Sequence, residues 1–231
     1  MDNAMFKYFT ERYKNQLSEL KTQGQTGHKP GPVITISREY GCQGKEFSDI
    51  LKKKLDSIDP LWRIISKEVL DDAARELKMD SRQLKYVFKG ERLSTIEEIL
   101  NAMSSRYYKS DERIHRTIRK VIYQFGDKGY SIILGRCGVC ITQDIEKSLH
   151  IKLEADKPYR LNNIMNWRNL SKEEAEKEME QTDRNREWLM NRFSKNKFNP
   201  RQFDLRINTE RFSINEAVDI VVQAAKQKQL V

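Results

Sequence analysis

The sequence predicts an α/β domain, a parallel sheet covered by helices on both faces. Two patterns point there. Short β-branched runs alternate along the chain with longer stretches of helical apolar spacing, the order that lays crossover helices on both sides of a sheet. The first run, Val33-Ile34-Thr35-Ile36, leads into a loop with Gly41, Gly44 and Lys45, and a helical pattern follows directly. Strand, glycine loop, lysine and helix is an arrangement that cradles phosphate on backbone N–H groups at a helix N-terminus.

In chain order, residues 5–20 place Met5, Phe6, Phe9, Tyr13, Leu17 and Leu20 on one helical face. The polar stretch 22–31 reads as a linker. Residues 1–31 are therefore expected to be an appendage that packs on the domain or on a second copy of the chain, and 32–231 to be the domain. After the glycine loop, Phe47, Ile50, Leu51 and Leu55 define a buried helix face, and residues 62–65 a second strand. Val69, Leu70, Ala73, Ala74 and Leu77 mark another helix. Residues 80–109 stay helical, with a capping box at Thr95 and Glu98, and mix aromatics with arginines. With no core strand among them, they read as an inserted helical subdomain of about 80–110.

Ile114, Ile118, Val121, Ile122 and Phe125 then form an amphipathic helix that ends near Gly126 and Gly129. A third strand is expected at 131–134, a fourth at 149–153 and a fifth at 203–207. Capping boxes at Ser171/Glu174 and Ser213/Glu216 open a long helix and the final one. Ligands of such sheets bind outside the carboxyl ends of the strands, where the glycine loop lies.

Bulk properties exclude more than they select. The 231 residues carry a formal net charge of +9, with 38% hydrophobic and 33% charged side chains. Nothing approaches the roughly 18 apolar residues of a membrane span, so no membrane partner is expected. Three cysteines, without the apolar core of a signal peptide near the N-terminus, point to reduced thiols and a cytoplasmic protein. The positive charge favours anions, and it is concentrated. Residues 182–211 hold eight Lys/Arg against four Asp/Glu, behind a mainly acidic 171–181. No nucleic-acid-binding motif accompanies it, and nucleic acid is not the expected partner.

Three clusters could carry phosphate chemistry. At the loop, the pattern G-x-x-x-x-G-K-[ST] would need a glycine where Glu39 stands and a hydroxyl where Glu46 stands. The loop therefore reads either as a phosphate cradle or as a tight turn. Arg136, in Leu134-Gly135-Arg136-Cys137-Gly138, follows the third strand and points toward the same crevice; its planar fork suits a phosphate, the alternative being a structural ion pair. Asp183, Arg184 and Arg186 come late in the long helix. Two arginines two residues apart cannot share a helix face, so one could grip a phosphate while the other serves an acceptor. Cys137 and Cys140 form a C-x-x-C without a second pair or a histidine cluster, and no metal is assigned to them.

Together, ITISREYGCQGKEFSDILKKKL, ILGRCGVCI, and TDRNREWLMNRF followed by FDLRINTERFSINEAVDIV resemble the cytidylate kinase-like proteins, within the nucleoside monophosphate kinase fold of the P-loop NTPases. The resemblance covers roughly residues 32–227. It implies a three-layer fold with a five-stranded parallel sheet, a helical acceptor-binding insertion, and a lid at about 157–200. It implies a kinase moving the γ-phosphoryl of ATP, with Mg²⁺, to a nucleoside monophosphate or similar small phosphate acceptor. By this resemblance Gly41, Cys42, Gln43, Gly44, Lys45 and Glu46 would cradle the donor phosphates. Arg136, Asp183 and Arg160 would serve the acceptor, and Lys45, Arg184 and Arg186 would act on the transferring group. Cytidylate kinases proper have a hydroxyl after the loop lysine and an aspartate after the glycine-arginine pair; here Glu46 and Cys137 stand instead, with Ser48 the nearest hydroxyl. The alternative is a nucleotide-binding or interaction protein with a degenerate loop, whose partner contact, a homodimer included, uses the N-terminal helix.

Overall fold

A computed structural model describes residues 31–66, 72, 75, 111–194 and 197–231. The predicted helix at 5–20, most of the linker, most of the helix around 69–77 and the insertion at 80–110 lie outside the described residues.

Five strands form one sheet: β1 (Val33–Arg38), β2 (Arg63–Ile65), β3 (Ser131–Leu134), β4 (Ser148–Glu154) and β5 (Leu205–Asn208). Their order is β2-β3-β1-β4-β5, and every pairing is parallel. β1 is central, so both its faces must be apolar, and Val33 to Ile36 are buried throughout. Among the described residues the helices that cover the sheet are α1 (Gly44–Asp56), α2 (Asp111–Lys128), α3 (Gly138–Ile141), α4 (Lys157–Arg168), α5 (Lys172–Phe193) and α6 (Ile214–Gln227).

The side-chain alternation of the strands divides the core in two. On one face Val33 and Ile133 pack with Ile118, Val121, Ile122 and Phe125 of α2, with α3, and with Leu189 and Phe193 of α5. On the other, Ile34, Ile36, Ile132 and Ile151 meet Phe47, Leu51 and Leu55 of α1 and Ala217, Val218 and Val221 of α6. A small third cluster, Leu161 and Ile164 against Ala175 and Met179, fastens α4 to α5.

Both capping boxes that bear on described residues are made. Ser171 accepts from the Glu174 amide and Ser213 from the Glu216 amide, and each glutamate side chain accepts in turn from its serine's N–H. β2 and β4 differ from the sequence reading by a residue at their ends, and three larger differences have structural causes. β1 runs two residues further, to Arg38, because β4 continues beside it: Arg38 pairs with Leu153, and the Glu39 N–H donates to the Leu153 carbonyl at 3.0 Å. β5 begins at Leu205, since a 3₁₀ turn at Pro200–Gln202 intervenes and Phe203 packs edge-on against Phe198. α4 is a separate helix that the lid prediction had absorbed. Asp156 is its N-cap, Pro158 lies in its first turn, and its C-cap Asn169 is in the left-handed region.

This order sends the chain outward from β1 in both directions, to β3 and β2 on one side and β4 and β5 on the other. The crevice at the carboxyl ends of β1, β3 and β4 is thus where a ligand would sit.

Candidate phosphate-binding cleft

The glycine loop, residues 39–43, is stitched to α4 and α5. The Arg160 guanidinium donates to the Tyr40 carbonyl at 3.1 Å, to Asp183 Oδ2 at 2.6 Å and to the Ala155 carbonyl at 3.1 Å, and lies 3.4 Å from Glu39. Asn163 donates to the Gly41 carbonyl at 3.0 Å, and the Tyr40 N–H donates to Asp183 Oδ1 at 2.8 Å. The Tyr40 hydroxyl donates to Glu178, and burial with that partner pushes its pKa up to about 12. Gly41 has φ +100°, and a Cβ there would lie 2.7 Å from the Cβ and carbonyl oxygen of Arg160. The backbone of α4 therefore fills the space that Gly41 leaves. Cys42 is fully buried, its thiol pushed up to about 11 by desolvation. Gln43 caps α1 from the left-handed region, with its side chain on Glu46 and Tyr159.

Lys45 is on the outer face of α1. Its side chain is 88% exposed, and its ammonium lies 3.5 Å from Asp49 one turn on. Glu46 is exposed beside it. Ser48 is buried and donates its hydroxyl to the Lys45 carbonyl at 2.7 Å.

The cleft proper opens beside the loop. A cavity of about 290 Å³ is lined by Arg38, Lys152, Arg136 and Arg186, by the carboxylates of Glu39, Asp183 and Glu187, and by an apolar wall that includes Leu189, Met190 and Phe198. A second, of about 310 Å³, is lined by Ser66, Leu134, Thr182 and Asn185, and again by Arg38, Arg136, Arg186 and Leu189.

Each cation is aimed by its backbone. Arg136 follows Gly135, and Gly135, Arg136 and Cys137 all have positive φ (70°, 53° and 57°), a left-handed run that turns the chain over the end of β3. Arg136 Nε donates to the Ser66 carbonyl at 3.0 Å. Arg186, on α5, donates to the Arg38 carbonyl at 3.0 Å and lies over the Tyr40 ring at 5.5 Å. Arg184 takes another face, 62% exposed and near Glu180. Lys152 comes from β4, its pKa lowered by desolvation against the raising effect of Glu39 and Asp183. Desolvation, reinforced by Arg186 and Arg136, pulls Arg38 down to about 9.

Of the residues singled out by sequence, the structure gathers Arg136, Asp183 and Arg186 in the cleft, with Arg160 behind Asp183. Lys45 and Arg184 face solvent. Arg38, Lys152 and the apolar wall went unassigned in the sequence reading. Lys152 was legible as one of the polar positions of an alternating strand, whereas Arg38 lies past the β-branched run that marks β1 and carried no local signal. Cys137 and Cys140 are free, buried thiols whose pKa values burial raises, consistent with packing. Among the described residues no group of three His, Cys, Asp or Glu could hold a metal, and no helix is long and apolar enough to cross a membrane.

An open parallel sheet with arginines clustered at the carboxyl ends of its central strands puts a candidate anion site where such sheets bind their ligands. The chain belongs to the cytidylate kinase-like family, whose sequence pattern matches residues 33–211. That family assigns it to the nucleotide-kinase class of phosphotransferases. No curated protein matches the sequence. Among solved structures, an uncharacterized protein from Eubacterium ventriosum ATCC 27560 has the same fold, at 18% identity and a TM-score of 0.60, over 84% of this chain and 98% of that one. More distant are shikimate kinase from Bacteroides thetaiotaomicron (8% identity, TM-score 0.46, 84% and 98% covered) and dephospho-CoA kinase from Campylobacter jejuni (16%, 0.39, 84% and 97%).

Proposed function

We propose that the protein is an ATP-dependent kinase of a nucleoside monophosphate or a similar small phosphorylated acceptor. The observation that carries this reading is the cavity lined both by Arg136, Arg186 and Lys152 and by the apolar side chains of Leu189, Met190 and Phe198. The cations suit phosphates and the apolar side chains suit a base, in a volume ordinary for a small-molecule site.

In the reaction an oxygen of the acceptor's phosphate forms a bond to the γ-phosphorus as the bond to the β–γ bridging oxygen breaks, and ADP leaves with that electron pair. Such a transfer asks for alignment and charge neutralisation more than for covalent help. Arg136 and Arg186 are the neutralising pair. Arg160 and Asp183 hold the loop and α5 in register, and closure of α4 and α5 would exclude water. The fold also implies a divalent ion held by a hydroxyl beside the loop lysine. The residues present do not fit that ligand: Ser48 is buried and bonded to the Lys45 carbonyl, and Glu46 stands at the strict position.

A second reading, nucleotide binding without catalysis, is favoured by the same Ser48 bond and by the solvent-facing Lys45. One assay separates the two. With ATP, Mg²⁺ and a panel of nucleoside monophosphates, wild type is expected to release ADP in an acceptor-dependent way. An Arg186→Met variant should be slower by about 100-fold, the scale of losing one charge-stabilising donor. Turnover no faster than that variant on every acceptor would sink the kinase reading, and ATP binding without turnover would establish the second.

A further inference from the structure

We propose that Arg38, in place of a loop lysine, is the cation on which a polyphosphate chain rests in this cleft. The proposal deepens the kinase reading and rests on it for the nucleotide class of the ligand.

The path of the side chain is the first argument. Arg38 is the last residue of β1, on the same face as Ile34 and Ile36, which looks toward α1. From there its stem passes over Gly44, where a Cβ would lie 3.0 Å from Cγ and 3.1 Å from Cδ. Its guanidinium then passes over Gly135, where a Cβ would lie 2.2 Å from Nη1. Two glycines from different elements thus leave open the channel that this one side chain occupies. Gly44, which as part of the loop would ordinarily be credited to phosphate approach, makes room for Arg38.

Charge is the second argument. A structural arginine is spent on carboxylates and carbonyls. Among the described residues the Arg38 guanidinium has neither a hydrogen bond nor an ion pair. The carboxylate that attracts it, Asp183, is already bonded to Arg160 and to the Tyr40 N–H. Its nearest charged company includes Arg186 and Arg136, both of which oppose its charge. A partly buried cation among cations is costly unless an anion completes the group.

Placement is the third. Arg38, Arg136 and Arg186 line both cavities, so the three guanidiniums stand between two spaces that each fit a small ligand. An anion bound there carries charge on both sides of the trio, as a chain of phosphates does and a single carboxylate does not. Lys45 reaches neither cavity: it is absent from both linings and paired with Asp49 on the outer face of α1.

The test uses inorganic tripolyphosphate as the probe and calorimetric affinities for the full chain. Arg38→Met keeps the stem over Gly44 and removes the charge. It is expected to weaken binding by about 30-fold, the scale of losing charge-assisted hydrogen bonds, while Lys45→Met stays within about threefold of wild type. Without ligand, Arg38→Met should melt no lower than wild type, which a structural arginine would not permit. Affinity of Arg38→Met within about threefold of wild type, or an equal loss in Lys45→Met, overturns the proposal. So does a wild type that binds no tripolyphosphate. If Arg38→Met fails to fold, Arg38→Gln is read by the same criteria, and failure of both to fold marks Arg38 as structural and overturns it. The kinase reading falls separately. Binding through Arg38 without ADP release leaves this assignment standing, whereas undiminished turnover in Arg38→Met removes it and keeps the kinase.

Discussion

Gly41 lies against the backbone of α4 at φ +100°, so an alanine there meets Arg160 and is also held in a conformation that L side chains rarely adopt. Gly41→Ala is expected to cost about 2–4 kcal/mol, since clash and strain combine; a thermal melt that moved by less than a degree would contradict the packing described. Gly44→Ala differs in kind. Its φ is ordinary, and the Cβ would press on the Arg38 stem. Stability should change by about 1 kcal/mol or less, while tripolyphosphate affinity falls with the displaced guanidinium. Equal stability losses at the two glycines, with affinity intact, would contradict this division.

Among the elements, β4 carries an unusual group in the core. His150 is buried, with Nδ1 2.8 Å from the Thr35 hydroxyl and Nε2 without a partner among the described residues. Desolvation lowers its pKa to about 4, although Asp204 raises it, and Lys228 lowers it further. The folded value lies below the unfolded 6.5, so the unfolded chain takes up the proton first. The neutral ring's contribution is full above about pH 6.5 and is lost as the pH falls through 4, amounting to about 3 kcal/mol. Denaturant titrations at pH 7 and pH 4 should show that difference, and His150→Gln should flatten it; an unchanged slope in the variant would place the pH sensitivity elsewhere. The elements themselves were largely legible. Strands showed as β-branched runs, and two helix starts as Ser-x-x-Glu boxes, because both signals are local. α4 was missed because its few buried residues, Leu161 and Ile164, serve only the small cluster with α5. Arg38 was missed because the strand's last two residues are held by pairing with β4, a tertiary cause that no local pattern records. Lys45 drew attention for the converse reason: spacing places it in a loop, but only packing tells which way its side chain leaves the helix.

At the scale of the whole molecule, four cations (Arg38, Arg136, Lys152 and Arg186) and three carboxylates (Glu39, Asp183 and Glu187) line one cleft, and ligand and fold should be linked through it. Saturating tripolyphosphate, at about 100 times Kd, is expected to stabilise the protein by about 2.7 kcal/mol and raise Tm by roughly 5–10 °C. The gain should shrink as salt screens the arginines. Differential scanning fluorimetry across ionic strengths reads both, and a salt-independent shift would argue for a ligand held by apolar contacts. The stitched loop has a consequence for engineering. A glycine loop is commonly treated as a cassette that can be moved between proteins. Here its carbonyls are held by Arg160 and Asn163, the Tyr40 amide by Asp183, and the space over Gly41 by the backbone of α4. A transplant of a strict G-x-x-x-x-G-K-[ST] loop would strand those groups, and a donor seeking this loop would have to export α4 and α5 with it.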